Sequence, residues 1–364
     1  MRLASPTALA ALAGILACAG AASPGHAGDG PPPPLKSLAD FPLGAAVPAG
    51  PAPHSLLASS ERQALVERHF DSLTAENVMK MAWMQPAPGR FLFEHADALL
   101  DYAERNGLLL HGHVLLWHSQ APSWMNEFSG SREEFVAMME AHIRTVAGRY
   151  AGRVASWDVV NEAFGDETPT GWRSTIWHDN IGPEYVELAF RAAREADGHA
   201  DLYYLDYGIS GAGGPAKLDR VLEMVDDFQR RGVPIHGLGF QMHIDTERPT
   251  LASVRESFAR AARRGLKIRI SELDISVNIG GAHAKLTPEL AEVQRRHYEQ
   301  IARIYREEVP AGQRGGITVW GLTDGDSWIP GFRQRPDWPL LFDAEFRPKP
   351  AFHGFAAGLQ ASPE

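Results

Sequence analysis

The sequence predicts an α/β fold, a (β/α)8 TIM barrel built as a single domain, and three observations lead there. Short apolar runs rich in β-branched residues alternate with amphipathic helical stretches along 364 residues. Eight such runs can be counted. Polar and aromatic side chains gather where the runs end. Strands separated by helices pair in parallel, and eight repeats of that unit close into a barrel.

The strands are expected at 41–47, 72–77, 108–117, 154–161, 201–207, 237–244, 266–275 and 316–323. Several are almost wholly apolar, as strands buried on both faces should be. Helical periodicity falls between them at 133–150, 184–196, 217–231, 251–264 and 288–308. An open doubly wound sheet is the competing fold. It would place a glycine-rich phosphate turn after the first strand, and Gly44-Ala-Ala-Val47 is no such fingerprint. A barrel domain over residues 37–360 is therefore expected.

The segment before the barrel has a different character. Arg2 precedes an Ala/Leu-rich stretch that reads as a secretory signal over residues 1–27, with a small-x-small cleavage site at Gly25-His26-Ala27. This apolar stretch is too short for a comfortable transmembrane helix. The alternative is a lipoprotein box, Ile15-Leu-Ala-Cys18, with the chain anchored through Cys18, its only cysteine. Residues 28–36, rich in proline, form an extended linker. An extracytoplasmic location, periplasmic or extracellular, follows from either reading.

Charge narrows the partners. Lys and Arg number 35 against 45 Asp and Glu, with no basic cluster, which argues against nucleic acid or an anionic membrane. A neutral polymer suits this surface, and the chain is expected to act as a monomer.

Chemistry in a barrel sits at the C-terminal ends of its strands. Those ends carry Glu76, Asn77 and Lys80; His113, Trp117 and His118; Asn161 and Glu162. They continue with Asp206 and Tyr207, Gln241 and His243, Glu272 and Asp274, and the segment from Trp320 to Trp328. Glu162 and Glu272 stand out because each ends a buried apolar run, where a carboxylate is costly unless paired or facing a wet site. Two such carboxylates can serve as proton donor and nucleophile in glycoside hydrolysis. His111 and His113 share a strand face and could begin a metal site, but a functional zinc site needs three or four ligands. No metal and no cofactor is expected.

Six blocks bear a further likeness. They are Thr74-Ala-Glu-Asn-Val-Met-Lys80, Gly112-His-Val-Leu-Leu-Trp-His-Ser-Gln120, Trp157-Asp-Val-Val-Asn-Glu-Ala163, Gly239-Phe-Gln-Met-His243, Ser271-Glu-Leu-Asp274 and Val319-Trp-Gly-Leu-Thr-Asp324. In this order they resemble glycoside hydrolase family 10, the endo-β-1,4-xylanases, and the resemblance covers essentially the whole barrel. It implies that Glu162 is the general acid/base and Glu272 the nucleophile of a retaining mechanism, whose carboxyl groups lie roughly 5–5.5 Å apart. It implies that His243 and Asp274 orient the nucleophile and that Asn161 binds the 2-hydroxyl of the sugar being cleaved. Glu76, Asn77 and Lys80 would read hydroxyls on the non-reducing side. His113, Trp117, Gln120 and Gln241 would line the reacting sugar, while Trp320 and Trp328 offer flat faces to pyranose rings. The substrate implied is xylan and its oligosaccharides.

The chain departs from the family pattern at Leu205, where asparagine is usual, at Ser271 for threonine, and at Met81. Two other readings stay open. One is a barrel glycosidase acting on other β-1,4-glycans or aryl cellobiosides, and the other is a catalytically silent glycan-binding barrel.

Overall fold

The structure, a computed structural model, describes residues 32–360 except 52–53, 167–170 and 212–213. The expected signal segment, including Cys18 and Ala27, lies outside the described residues. The compact unit begins at Pro34. Leu35 is fully buried and opens a short 3-10 turn, Leu35–Ser37. The spacer expected over 28–36 therefore gives way to folded chain before its end, because Leu35 joins the apolar core.

Ten strands form among the described residues: β1 (Leu43–Val47), β2 (Ser72–Ala75), β3 (Leu109–Gly112), β4 (Leu116–Trp117), β5 (Ser156–Asn161), β6 (Asp201–Asp206), β7 (Gly237–Phe240), β8 (His243–Asp245), β9 (Lys267–Ser276) and β10 (Arg314–Val319). Eight of them pair in parallel around a closed barrel, in the order β1, β2, β3, β5, β6, β7, β9, β10 and back to β1. The short strands β4 and β8 lie against β5 and β9. The (β/α)8 barrel is thus the observed fold.

Two expected strands are each broken in two. The run 108–117 leaves the sheet after Gly112 and rejoins at Leu116, while the Leu115 N–H turns to the Asp158 carbonyl at 3.0 Å. The run 237–244 is interrupted at Met242, whose φ of 64° is incompatible with extended strand. Both breaks occur at the C-terminal end of the barrel, and each turns a histidine, His113 or His243, toward a carboxylate.

Helices wrap the barrel with ordinary signals at their ends. Arg132–Arg149 starts with a capping box between Ser131 and Glu134. Pro288–Glu308 begins with proline in its first turn and Thr287 accepting the Leu290 N–H. The last helix, Pro350–Gln360, buries Phe352, Phe355 and Leu359. It approaches Pro288–Glu308 so closely that a Cβ at Gly354 would sit 2.0 Å from the Arg295 carbonyl oxygen. Arg62, on helix Ser60–His69, makes two 2.7 Å hydrogen bonds to Asp326 beyond β10, clasping the first and last strand–helix units together. Among the described residues no helix is long and apolar enough to cross a membrane.

Candidate active site

Glu162 follows β5 directly, in a left-handed backbone conformation with φ 60°. Its N–H donates to the Leu205 carbonyl at 2.9 Å, and its own carbonyl accepts from Arg173 Nε at 2.9 Å. The carboxyl is held by amides. Gln241 Nε2 donates to Glu162 Oε1 at 2.8 Å and to Asn161 Oδ1 at 3.0 Å, and Asn161 Nδ2 stands 3.5 Å from Glu162 Oε1. His118 Nε2 is 3.8 Å from the other oxygen.

Glu272 lies within β9, and its N–H donates to the carbonyl of the same Gln241 at 2.9 Å. One residue therefore ties both glutamates together, by backbone to Glu272 and by side chain to Glu162. The β8–β9 register sets His243 opposite Asp274. His243 Nε2 meets Glu272 Oε2 at 2.9 Å, and Nδ1 meets Asp274 Oδ2 at 2.8 Å. Trp328 Nε1 donates to that same Asp274 oxygen at 2.9 Å.

Burial works against a charged His243, but Asp274 and Glu272 outweigh it and carry the imidazole up to about 10. It is a cation at neutral pH, placed between two carboxylates. Burial pushes the Asp274 carboxyl up, while His243 and the Trp328 indole pull it back. The arrangement anchors Glu272 by a charge-assisted hydrogen bond.

A second basic side chain, Lys80, faces the same carboxylates. Lys80 is buried, which lowers its ammonium, and Glu272, Glu76 and Glu162 in that order push it back up. Its Nζ donates to Asn77 Oδ1 at 3.2 Å and lies 5.2 Å from the Trp117 ring centre and 5.9 Å from that of Trp320. Glu76 is raised by burial and restrained by Lys80. His113 is edge-on to Trp320, with ring centres 5.3 Å apart, and its Nδ1 is 3.0 Å from Asp158 Oδ2. Burial alone would raise Asp158, but His111 and His113 hold it well below the usual carboxylate range. His111 also bonds Ser156 Oγ at 2.6 Å and is a satisfied core residue.

The residues expected at the strand ends thus meet at the C-terminal face, while His111 lies inside β3. Glu162, Glu272, Asn161, Gln241, His243, Asp274, Lys80, His113, Trp117 and Trp320 converge around the two glutamates. Trp328 covers one side, its ring centre 5.0 Å from that of His243. Gln120 stands at the exposed margin, where its carbonyl accepts the Ala82 N–H at 3.0 Å. The departure at Leu205 is internal: its side chain is fully buried against Gly239, and its carbonyl does the work at Glu162.

Sequence reasoning gave no role to Arg173, Tyr204 or Lys217, nor to His118 beyond its place at a strand end. Arg173 comes from a loop and Lys217 from a helix, so neither shows in the pattern of strand ends. Among the described residues, no group of three or more His, Cys, Asp or Glu is arranged to hold a metal ion.

A closed parallel barrel with one carboxylate in an amide cluster and another on a histidine–aspartate pair has the form of a barrel glycoside hydrolase. The chain belongs to glycosyl hydrolase family 10, whose family model matches residues 37–357. It is 42% identical over 349 residues to the endo-beta-1,4-xylanase Xyn10C of Cellvibrio japonicus, covering 89% of this chain and 57% of that protein. It is 39% identical over 327 residues to an endo-1,4-beta-xylanase of Geobacillus stearothermophilus, covering 86% of this chain and 94% of the relative. The chain thus spans little more than half the length of the Cellvibrio relative. Among solved structures, native xylanase 10C from Cellvibrio japonicus superposes with a TM-score of 0.86 at 40% identity, over 90% of this chain and 73% of that one. A mutant of that enzyme in complex with xylopentaose gives a TM-score of 0.85 at 39% identity, over 90% and 69% of the two chains.

Proposed function

We propose that this chain is an endo-1,4-β-xylanase that cleaves internal β-1,4-xylosidic bonds of xylan with retention of configuration, Glu162 acting as general acid/base and Glu272 as nucleophile. The observation that carries the reading is the difference between the two carboxyl environments. Glu272 Oε2 is bonded at 2.9 Å to a cationic His243, a charge-assisted hydrogen bond that holds the carboxylate meant to attack the anomeric carbon. Glu162 sits among the neutral amides of Gln241 and Asn161, which can bond to it either with or without its proton.

In the first half-reaction Glu272 displaces the leaving sugar while Glu162 gives its proton to the departing glycosidic oxygen. In the second, Glu162 takes a proton from water, which attacks the glycosyl-enzyme and frees Glu272. Asn161 would bind the 2-hydroxyl of the reacting sugar, where hydrogen bonds strengthen in the oxocarbenium-like transition state. Glu76, Asn77 and Lys80 would bind sugar hydroxyls beside it. His113, Trp117, Gln120 and Gln241 would line the reacting ring, and Trp320 and Trp328 would pack on pyranose faces. The relatives' names support xylan as the substrate, and xylose lacks the hydroxymethyl group that would crowd the cleft beside Trp328.

Parallel hydrolysis of linear xylan, carboxymethyl cellulose and aryl cellobioside tests the reading. Xylan should be strongly preferred, and Glu272→Ala should lower its turnover by about 10⁴-fold or more. Equal rates on xylan and cellulose would point to the broader β-1,4-glycanase. Unchanged turnover in Glu272→Ala would point to a silent barrel. We further infer export with cleavage after Ala27, with lipid attachment at Cys18 as the alternative. Mass spectrometry of the exported N-terminus separates them, since a diacylglyceryl cysteine excludes the Ala27 cut.

A further inference from the structure

We propose that Lys217 is a positioning residue for Glu162, closing a ring of hydrogen bonds that fixes the Glu162–Ala163 peptide and so aims the carboxyl. The inference rests on the reading of Glu162 as acid/base. Each link of the ring is a direct contact. The Glu162 carbonyl accepts from Arg173 Nε at 2.9 Å, and Arg173 Nη2 donates to the Tyr207 hydroxyl at 2.9 Å. That hydroxyl donates to Asp166 Oδ2 at 2.5 Å, and Lys217 Nζ donates to Asp166 Oδ1 at 3.0 Å. Lys217 Nζ also meets Asp206 Oδ1 at 2.9 Å. Tyr204 then donates to Asp206 Oδ2 at 2.6 Å, and its hydroxyl oxygen accepts the Ala163 N–H at 3.0 Å. The ring returns to the same peptide it left, gripping its carbonyl from one side and its N–H from the other.

Three features make this more than an internal ion pair. First, the peptide it grips follows a non-glycine residue at φ 60°, a conformation that persists only when its surroundings impose it. A rotation there would swing the Glu162 carboxyl away from Gln241. Second, Lys217 lies in the first turn of helix Pro215–Arg230, where the helix dipole disfavours a cation. Its side chain is 2% exposed and its Nζ lies 3.5 Å from the Tyr207 ring centre. A buried ammonium at a helix start is held there by its two aspartates, and both lead to the acid/base peptide. Third, the ring draws on three separate elements, the loop carrying Arg173, strand β6 and the helix after it. It therefore couples Glu162 to the barrel wall and not to its own strand alone.

The test uses two aryl xylobiosides. A 2,4-dinitrophenyl group departs without a proton, whereas a phenyl group needs one, so the ratio of their kcat/KM values reads the acid's placement separately from general damage. In Lys217→Met, kcat/KM for phenyl β-xylobioside should fall by about tenfold or more, with less than about a twofold change for the dinitrophenyl substrate. Tyr207→Phe removes one link without leaving a buried charge unpaired. It should show the same split to a smaller degree, and it alone decides the matter if Lys217→Met does not fold. Equal losses on both substrates, or no loss on either, would overturn the positioning role. Glu162→Ala is the control: if it shows no dependence on the leaving group, the acid assignment itself fails, whatever the Lys217 variant does.

Discussion

His243 joins the proposed nucleophile Glu272 to Asp274. It is cationic because Asp274 and Glu272 flank it, and its charge binds the nucleophile. Its removal takes away one preorganised donor, so His243→Ala should lower kcat by about 10²–10³ while KM changes little. Unchanged turnover would refute its role. The same residue sets a pH dependence of stability. Its folded value, about 10, lies above the ordinary 6.5. The stabilisation is therefore complete below that ordinary value and is lost as pH rises through about 10. Denaturant midpoints should fall over that range in the wild type and fall less in His243→Asn; parallel curves would contradict the assignment. At this scale the sequence revealed much. Glu162, Glu272, His243 and Asp274 stand at ends of apolar runs, where a charge has few explanations. Arg173, Tyr204 and Lys217 gave no such sign: Arg173 and Tyr204 grip the peptide after Glu162, from a loop and a strand interior, and Lys217 reaches it from a helix only through Asp166 and Asp206. Gln241 was legible as a site residue, but its double hold on the two glutamates needs the closed barrel to be seen.

Among the elements, β3 shows both what pattern reading catches and what it misses. The apolar run 108–117 correctly announced a buried strand. Its break after Gly112 was hidden, because Val114, Leu115 and Leu116 are as apolar as a continuing strand and are buried for other reasons. Gly112 itself is required by contact. A Cβ there would lie 2.1 Å from the Trp157 ring, which is fully buried beneath the site. Gly112→Ala should therefore cost about 3 kcal/mol from overpacking, read as a lower denaturant midpoint with unchanged slope. A variant as stable as the wild type would show that the indole can move aside. The break at Met242 was equally hidden, since a left-handed methionine leaves no mark in composition.

For the whole molecule, closure is the property that strand counting foresaw and that long-range contacts secure. The Arg62–Asp326 pair joins residues 264 apart in sequence, with side chains 7% and 2% exposed. Removing one partner leaves the other charge buried and unpaired, so Arg62→Ala should cost about 3–5 kcal/mol of unfolding free energy. Equilibrium unfolding in urea measures this, and a change below about 1 kcal/mol would mean that the clasp is open to water. No pattern in the sequence could pair these two residues, since neither belongs to a strand and their partnership exists only once the barrel has closed.

The central claim is that two carboxyls on this barrel share a double displacement. Proton NMR of the anomeric products in the first minutes of linear xylo-oligosaccharide hydrolysis tests it most directly. The newly formed reducing ends should appear first as the β-anomer and then mutarotate. Initial release of the α-anomer would contradict the account, because it would require a single displacement by water and leave Glu272 no role as nucleophile.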